Sequence, residues 1–514
     1  MFRFRARLFA AACVGALLAG IGAARAQSSR LPLGSPRLDV RRDVGLPPVD
    51  VGLRTWEYVG PARPGGARGE PPPDRVIVKF RGGIPADARA ASLRSASPTA
   101  AMAPPLDHAD FEIVRIDPAE DAAAVARELA GRANVEYAQP DYRVHTTLVP
   151  NDPLYREVQW NMPMIDVERA WDVQPLAGSA ITVAVLDTGV AFMNATITHS
   201  IAGFTRGGAT YPPLPGVSIP YSAAPQLGPP GRFVAPQDFI WGTATPLDFD
   251  GHGTHVAGTI GQATNDGVGT AGVAYNVKIM PVKVVCGEWD RLFGISPNRC
   301  GTDSQVAQGI RYAADSGANV INMSIGRSGP PAPAIEDAMR YAIGKGVFIV
   351  VAAGNEGDTG NPVEVLAEIA SRLPGAVSVA AVDVFRKQAP YSSFGAWIEL
   401  AAPGGGGGSE RSGYVFQQTF DPDLVETYSA PVRSYGPPRF DVFAYVGYGG
   451  TSMAAPHVAG AAAMLRQQGL TSPAAIEEAL ERTAVDLGAP ARDDLYGFGL
   501  IDVRNAIRGL GLAR

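Results

Sequence analysis

The apolar and polar positions change texture near Asn151. Beyond that point, Ile181-Thr-Val-Ala-Val-Leu186 is an unbroken, β-branched run, the pattern of a strand buried on both faces of a parallel sheet. Residues 277–285, 320–323, 347–352 and 377–382 repeat it. Between these runs, 252–260, 303–315 and 335–343 read as helices, and 474–480 with 500–507 supply a helix-and-strand ending. Strand–helix alternation of this kind predicts an α/β domain: a mostly parallel sheet with helices on both faces, in three layers. Two segments, 199–247 and 404–445, are rich in Pro, Gly, Tyr and Ser and read as surface insertions. Gly404 to Gly408 are not a phosphate loop, because no Lys-Ser/Thr follows and no strand–helix frame surrounds them.

Before Asn151 the pattern is that of a smaller α+β unit. Residues 75–80 and 111–116 read as strands and 134–140 as another. Ala122, Val125, Ala126 and Leu129 recur at helical spacing within 119–131. Residues 27–73, rich in Pro, Gly and Arg, read as a linker or leader. The first 26 residues have the form of an export signal. Arg3, Arg5 and Arg7 precede an uncharged apolar stretch over 8–21, and Ala24-Arg25-Ala26 supplies the cleavage site. The chain therefore divides into a signal (1–26), a leader (27–73), a small unit (74–147) and a large domain (148–514). The mature protein is expected outside the inner membrane, extracellular or periplasmic, as a monomer without a membrane anchor.

Composition narrows the function. With 514 residues and a formal net charge of −6, and no Lys/Arg-rich run after the N-terminus, nucleic acid is not the expected partner. Once Cys13 leaves with the signal, Cys286 and Cys300 remain as an even pair in an oxidising compartment, and a disulfide is expected.

Six histidines make the search for a base short. His108 and His145 fall in the small unit and His199 in an insertion. His252 sits in Asp248-Phe-Asp-Gly-His-Gly-Thr-His-Val-Ala-Gly258, where a Gly-containing loop gives way to a helix. Ser452 sits in Gly449-Gly-Thr-Ser-Met-Ala-Ala-Pro-His457, a second helix start whose N–H groups turn toward the hydroxyl. Asp187 ends the buried strand, where functional groups collect in open α/β sheets. Serine is a weak nucleophile until a base takes its proton, and the base needs a carboxylate to fix its tautomer. Asp248 and Asp250 read as loop-solubilising acids, and His255 and His457 as packing or capping residues.

Ala184-Val-Leu-Asp-Thr-Gly189, His252-Gly-Thr-His-Val-Ala-Gly258 and Gly450-Thr-Ser-Met-Ala-Ala-Pro-His457, in that order, resemble the three signature blocks of the subtilisin-like serine peptidases. The resemblance covers roughly 151–510, and 75–147 looks like the inhibitory propeptide of that family. It implies a subtilisin-like fold and endopeptidase activity on protein or peptide substrates. Asp187, His252 and Ser452 would be the triad, and the precursor would cut itself within about 143–149. Val350-Val-Ala-Ala-Gly-Asn-Glu-Gly357 resembles the block that carries the oxyanion-hole asparagine, implying that role for Asn355. Ser324, Ile325 and Gly326, with Ala352, Ala353 and Gly354, would frame the pocket for the residue before the scissile bond. Glu364 and Glu368 depart from the simplest members there, and the preference, apolar or basic, stays open. The chemistry implies no cofactor. Asp266, in Asn265-Asp-Gly-Val-Gly269, lies where the family often holds structural calcium, although the acid expected after the Asp187 block is absent. A catalytically silent scaffold has no reason to keep all four polar roles. An α/β-hydrolase esterase would want a Gly-x-Ser-x-Gly elbow, which Gly450-Thr-Ser-Met-Ala454 is not.

Overall fold

A computed structural model describes residues 29–32, 74–104, 108–141, 148–206, 208–407, 413–427 and 435–508. The chain divides into two compact units, 39–146 and 1–38 with 147–514. The signal region and most of the leader lie outside the described residues, as do 142–147, which hold most of the expected cleavage segment.

In the small unit, β1 (Arg75–Phe80), β2 (Ala101–Met102), β3 (Glu112–Arg115) and β4 (Val135–Pro140) form an antiparallel sheet of order β2-β3-β1-β4. Alternation sends Val76, Val78 and Val114 to one face. There they pack with Val125, Ala126 and Leu129 of α2 (Ala122–Ala130), whose N-terminus Asp121 caps through the N–H of Ala123. A second helix, α1 (Ala86–Ala96), was not evident from periodicity. Its only buried residues are Ser92 and Leu93, so it carries almost no apolar stripe.

The large unit is built on seven parallel strands. In chain order these are β5 (Thr182–Asp187), β6 (Gln237–Asp238), β7 (Lys278–Lys283), β8 (Val320–Met323), β9 (Phe348–Ala352), β10 (Ala376–Val382) and β11 (Leu400–Pro403). Their spatial order is β6-β7-β5-β8-β9-β10-β11. The period of two decides which residues meet which layer. Val183 and Val185 enter one core with α3 (His252–Gly261) and α7 (Thr451–Gln467). Ala184 and Leu186 enter the other with α4 (Asp303–Asp315), α5 (Pro333–Gly344) and α6 (Val365–Ala370). Helix α7 is buried at every position from Thr451 to Leu465, as a helix at the centre of a large domain must be. Two further helices, α8 (Pro473–Thr483) and α9 (Val503–Arg508), end the described chain.

The insertions are only partly on the surface. In the first, Ala195–Ile201 and Leu214–Tyr221 form an antiparallel pair with alternately exposed positions. Ile219, Tyr221, Leu227, Ile240 and Leu247 are buried, however, and 237–238 is the edge strand β6 of the central sheet, so this segment too is in part core. The second is corrected. Its strand β12 (Val415–Phe420) is buried throughout and pairs antiparallel with β13 (Phe443–Tyr448), and Phe416, Phe420 and Phe440 lie in the interior. Pro- and Gly-rich flanks hid a short core strand. The leader is not wholly unstructured either, since Ser29–Pro32 pairs antiparallel with β13.

Cys286 and Cys300 are bonded, 14 residues apart, and pack with Ile240 and Ile295. Closing a loop of about 15 residues restricts the unfolded chain by about 3 kcal/mol in the entropic model. Replacing both by serine is expected to lower the unfolding free energy by up to that amount in denaturant titration. The denatured, unreduced mature protein is expected to show no titratable thiol.

Candidate active site

The site assembles where β5, β8 and β9 end and α3 and α7 begin. Asp187, the last residue of β5, is fully buried. Its Oδ1 accepts the Thr188 N–H and the His252 Nδ1–H, each at 2.7 Å. That second bond places the ring proton on Nδ1 and leaves Nε2 as the basic nitrogen of neutral His252. Only 13% of the His252 side chain is exposed. The approach of α3 to the strand end requires Gly253. A Cβ there would lie 2.1 Å from the Gly189 carbonyl oxygen and 3.1 Å from Asp187 Oδ1.

Asp248 and Asp250 are not loop-solubilising acids. Asp248 is fully buried. Its Oδ1 accepts from the N–H groups of Asp250 and Gly251 and from Thr188 Oγ1, and its Oδ2 from Thr254 N–H and Oγ1, all within 3.0 Å. It therefore ties the loop before His252 to both the strand end and the helix. Asp250 Oδ1 accepts the His252 N–H at 3.2 Å, and burial with the charge of Asp248 raises its pKa to about 6. Burial of the His252 ring disfavours the imidazolium. The charge and hydrogen bond of Asp187, then Asp250 and Asp248, outweigh this and raise its pKa to about 9.

Ser452 lies in the first turn of α7 and is 8% exposed. Pro456, four residues on, has no N–H to give the Ser452 carbonyl. Ser324 Oγ donates to that carbonyl at 2.8 Å instead, while Ser452 Oγ donates to the Ser324 carbonyl at 3.1 Å. Among the described residues the Ser452 hydroxyl makes this bond and none to His252. A hydroxyl is a rotor, and such contacts are often loose without substrate.

Asn355 follows Gly354 at the end of β9. Its Oδ1 accepts from Thr451 N–H at 2.8 Å and from Thr451 Oγ1 at 3.0 Å, which assigns the other amide atom as the donor Nδ2. That Nδ2 has no protein partner among the described residues. Thr451 also accepts the Gly354 N–H, so one threonine fixes the amide beside Ser452. Its position before Ser452 was the available sequence signal. Gly326 is exposed, but Ile325 packs toward the α4–α6 core, and Ala353 donates its N–H to Val379 in the neighbouring strand.

His255 and His457 are structural. His255 Nε2 faces the carbonyls of Val415 and Val446, and His457 bonds Met453 O and Asn161. Burial lowers their pKa values to about 3 and about 4, so both stay neutral. The loop holding Asp266 fits calcium poorly. Its N–H groups at Asn265, Asp266 and Gly267 converge on the carboxylate of Asp152, and Asp266 accepts from Val268 N–H and Gln226 Nε2. Calcium would need about six to eight converging oxygens, whereas here a carboxylate already gathers the donors.

A parallel sheet with a carboxylate–imidazole pair, a serine at a helix start and a donor amide beside it defines a serine hydrolase of the three-layer α/β class. The profile of the Subtilase family matches residues 178–499, and that of the Fervidolysin N-terminal prodomain matches 62–141. The chain belongs to the subtilase family and is a subtilisin-like serine peptidase with an N-terminal prodomain. It is 31% identical over 432 residues to the "Thermophilic serine proteinase" of Bacillus sp. (strain AK1), covering 84% of this chain and 86% of that protein. It is 31% identical over 438 residues to the "Extracellular protease" of Xanthomonas campestris pv. campestris, covering 80% and 68%. Fervidolysin from Fervidobacterium pennivorans, at 24% identity, shares the fold with a TM-score of 0.51, covering 87% of this chain and 62% of that one.

Removing the Asp250 charge in Asp250→Asn withdraws a negative neighbour that favours the imidazolium. The titration midpoint of His252, followed by ring-proton NMR, is therefore expected to move to lower pH. An unmoved midpoint would mean that Asp250 does not act on the ring.

Proposed function

We propose that the protein is an exported, self-processing endopeptidase that cuts peptide bonds through an acyl-enzyme on Ser452. The 2.7 Å bond from His252 Nδ1 to Asp187 carries the reading, because in the neutral ring, which a pKa raised to about 9 favours at alkaline pH, it leaves Nε2 free to take a proton. His252 withdraws the proton from Ser452 Oγ as the oxygen attacks the peptide carbonyl, and Asp187 stabilises the imidazolium that forms. The developing oxyanion meets Asn355 Nδ2 and the backbone N–H of Ser452. The imidazolium protonates the leaving amine, and water, activated in the same way, releases the acyl group.

Extended substrate would pair with the backbone at Ser324 to Gly326 and at Ala352 to Gly354, which explains how many sequences could be accepted. Export is supported by the Arg-rich start, the apolar stretch at 8–21 and the Ala24-Arg25-Ala26 exit. No helix among the described residues is long and apolar enough to cross a membrane. The prodomain would form first, because its sheet is small and spans only residues 75–140. The parallel sheet must close long loops and folds slowly. The C-terminal segment of the prodomain, residues 142–149, would then be the first peptide cut and would remain as a product-like inhibitor.

Ser452→Ala is expected to abolish peptide hydrolysis and fluorophosphonate labelling, and the precursor should accumulate uncut. Normal maturation of that variant in a protease-deficient host would refute self-processing. Asn355→Ala is expected to lower kcat about 10²–10³-fold with KM nearly unchanged, since its bond forms fully only to the oxyanion; that magnitude was itself measured on a subtilisin. A weakened KM at constant kcat would contradict the assignment.

A further inference from the structure

We propose that Glu364 makes the pocket beside Ser452 a cation site, so that the enzyme selects arginine or lysine immediately before the scissile bond. This rests on the peptidase reading above and adds the substrate class. The placement follows from two glycines on opposite walls. On one wall, Ser324 is bonded both ways to Ser452, and two residues on, Gly326 faces the carboxylate. A Cβ there would lie 2.4 Å from Glu364 Oε1 and 2.9 Å from Oε2. On the other wall, a Cβ at Gly354, next to Asn355, would lie 3.4 Å from Glu364 Cβ and 3.1 Å from Glu356 Oε2. The carboxylate therefore stands between the two strand extensions that would hold a substrate.

Its bonding leaves a charge to be matched. Glu364 is 4% exposed. Oε1 accepts the N–H groups of Arg327 at 2.6 Å and Leu366 at 3.3 Å, while Oε2 takes no bond among the described residues. The charge of the Arg327 guanidinium favours the ionised form of Glu364 but does not offset its burial, and the guanidinium makes no hydrogen bond to it among the described residues. That group is gripped by both oxygens of Asp303, at 2.8 and 2.7 Å. A helix cap needs one oxygen, and Oε1 serves both N–H groups alone, so the second oxygen is surplus to capping. Burial, with Glu356 adding like charge, raises the Glu364 pKa to about 7. An arriving guanidinium or ammonium would favour its ionised form and supply the N–H donors that Oε2 lacks. Both acids at this end of the pocket have the same sign, which disfavours acidic side chains there.

The test uses the enzyme matured from the full chain and peptides that differ only before the scissile bond: arginine, lysine, citrulline, leucine and phenylalanine. Citrulline keeps the size and shape of arginine without its charge. Arginine and lysine are expected to exceed citrulline and leucine about 10- to 100-fold in kcat/KM, the range for a hydrogen bond to a charged group. Glu364→Gln keeps a carbonyl oxygen for both backbone N–H groups, and should cut the arginine-to-citrulline ratio about tenfold or more. Benzamidine should inhibit the native enzyme competitively and the variant about tenfold more weakly. Should the variant not fold, the native arginine-to-citrulline ratio and native benzamidine inhibition decide alone. Equal rates for arginine and citrulline, or a preference for leucine or phenylalanine, would overturn the cation site and leave the peptidase standing. No hydrolysis of any peptide, with no fluorophosphonate labelling, would remove the peptidase reading and the pocket with it.

Discussion

The contact between the end of β5 and the first turn of α3 is the constraint on which the rest depends. A strand and a helix can approach this closely only where no side chain intervenes, which is why Gly253 stands beside the Gly189 carbonyl. Once they touch, Asp187 and His252 have one available relation, a 2.7 Å hydrogen bond in the interior. Asp248 then fixes the loop between them with five bonds to Thr188, Asp250, Gly251 and Thr254. An ionised carboxylate is costly to bury, and the donors this one gathers from both sides of the contact offset the cost only in part, so burial still raises its pKa. The acid–base pair is thus held by packing and by a buried polar hub, not by its own single bond.

Ser452 is anchored by a compensation of a different kind. Pro456 removes a helix hydrogen bond, and Ser324 fills the vacancy from the neighbouring strand extension. The same bond, with the reciprocal one from Ser452 Oγ to the Ser324 carbonyl, links helix α7 to the chain just beyond β8. Thr451 does the equivalent for Asn355 on the other side. Two short side chains thereby set the positions of Ser452 and Asn355.

What could be read from the sequence follows how local each signal is. The strands of the central sheet were legible because parallel strands are buried on both faces and write themselves as apolar runs. Helix α4 was legible to the residue, with Thr302 and Gln305 forming a reciprocal cap before an amphipathic stretch. Asp187, His252, Ser452 and Asn355 were legible because each lies in a motif at an element boundary. The burial of Asp248 was not, since nothing nearby in the chain shows that Thr188 waits for it 60 residues away. Strand β12 was masked by its Gly- and Pro-rich flanks. Helix α1 lacked an apolar stripe. Glu364 was visible as an unusual acid, but its position against Gly326 and Gly354 is a property of three separate segments.

Helix α7 carries a consequence for the lifetime of the enzyme in its own company. A peptidase at high concentration is surrounded by copies able to cut any segment that opens into an extended form. Opening free energies differ across a fold, and elements with no exposed face open last. From Thr451 to Leu465 the helix has no exposed residue, so exposing its backbone amounts to unfolding the domain. The pair of strands at Ala195–Ile201 and Leu214–Tyr221 differs in having exposed positions between the residues, Ile201, Ile219 and Tyr221, that it places in the core. Any cut by another copy would therefore meet such exposed positions before it could reach Ser452 and the core behind it.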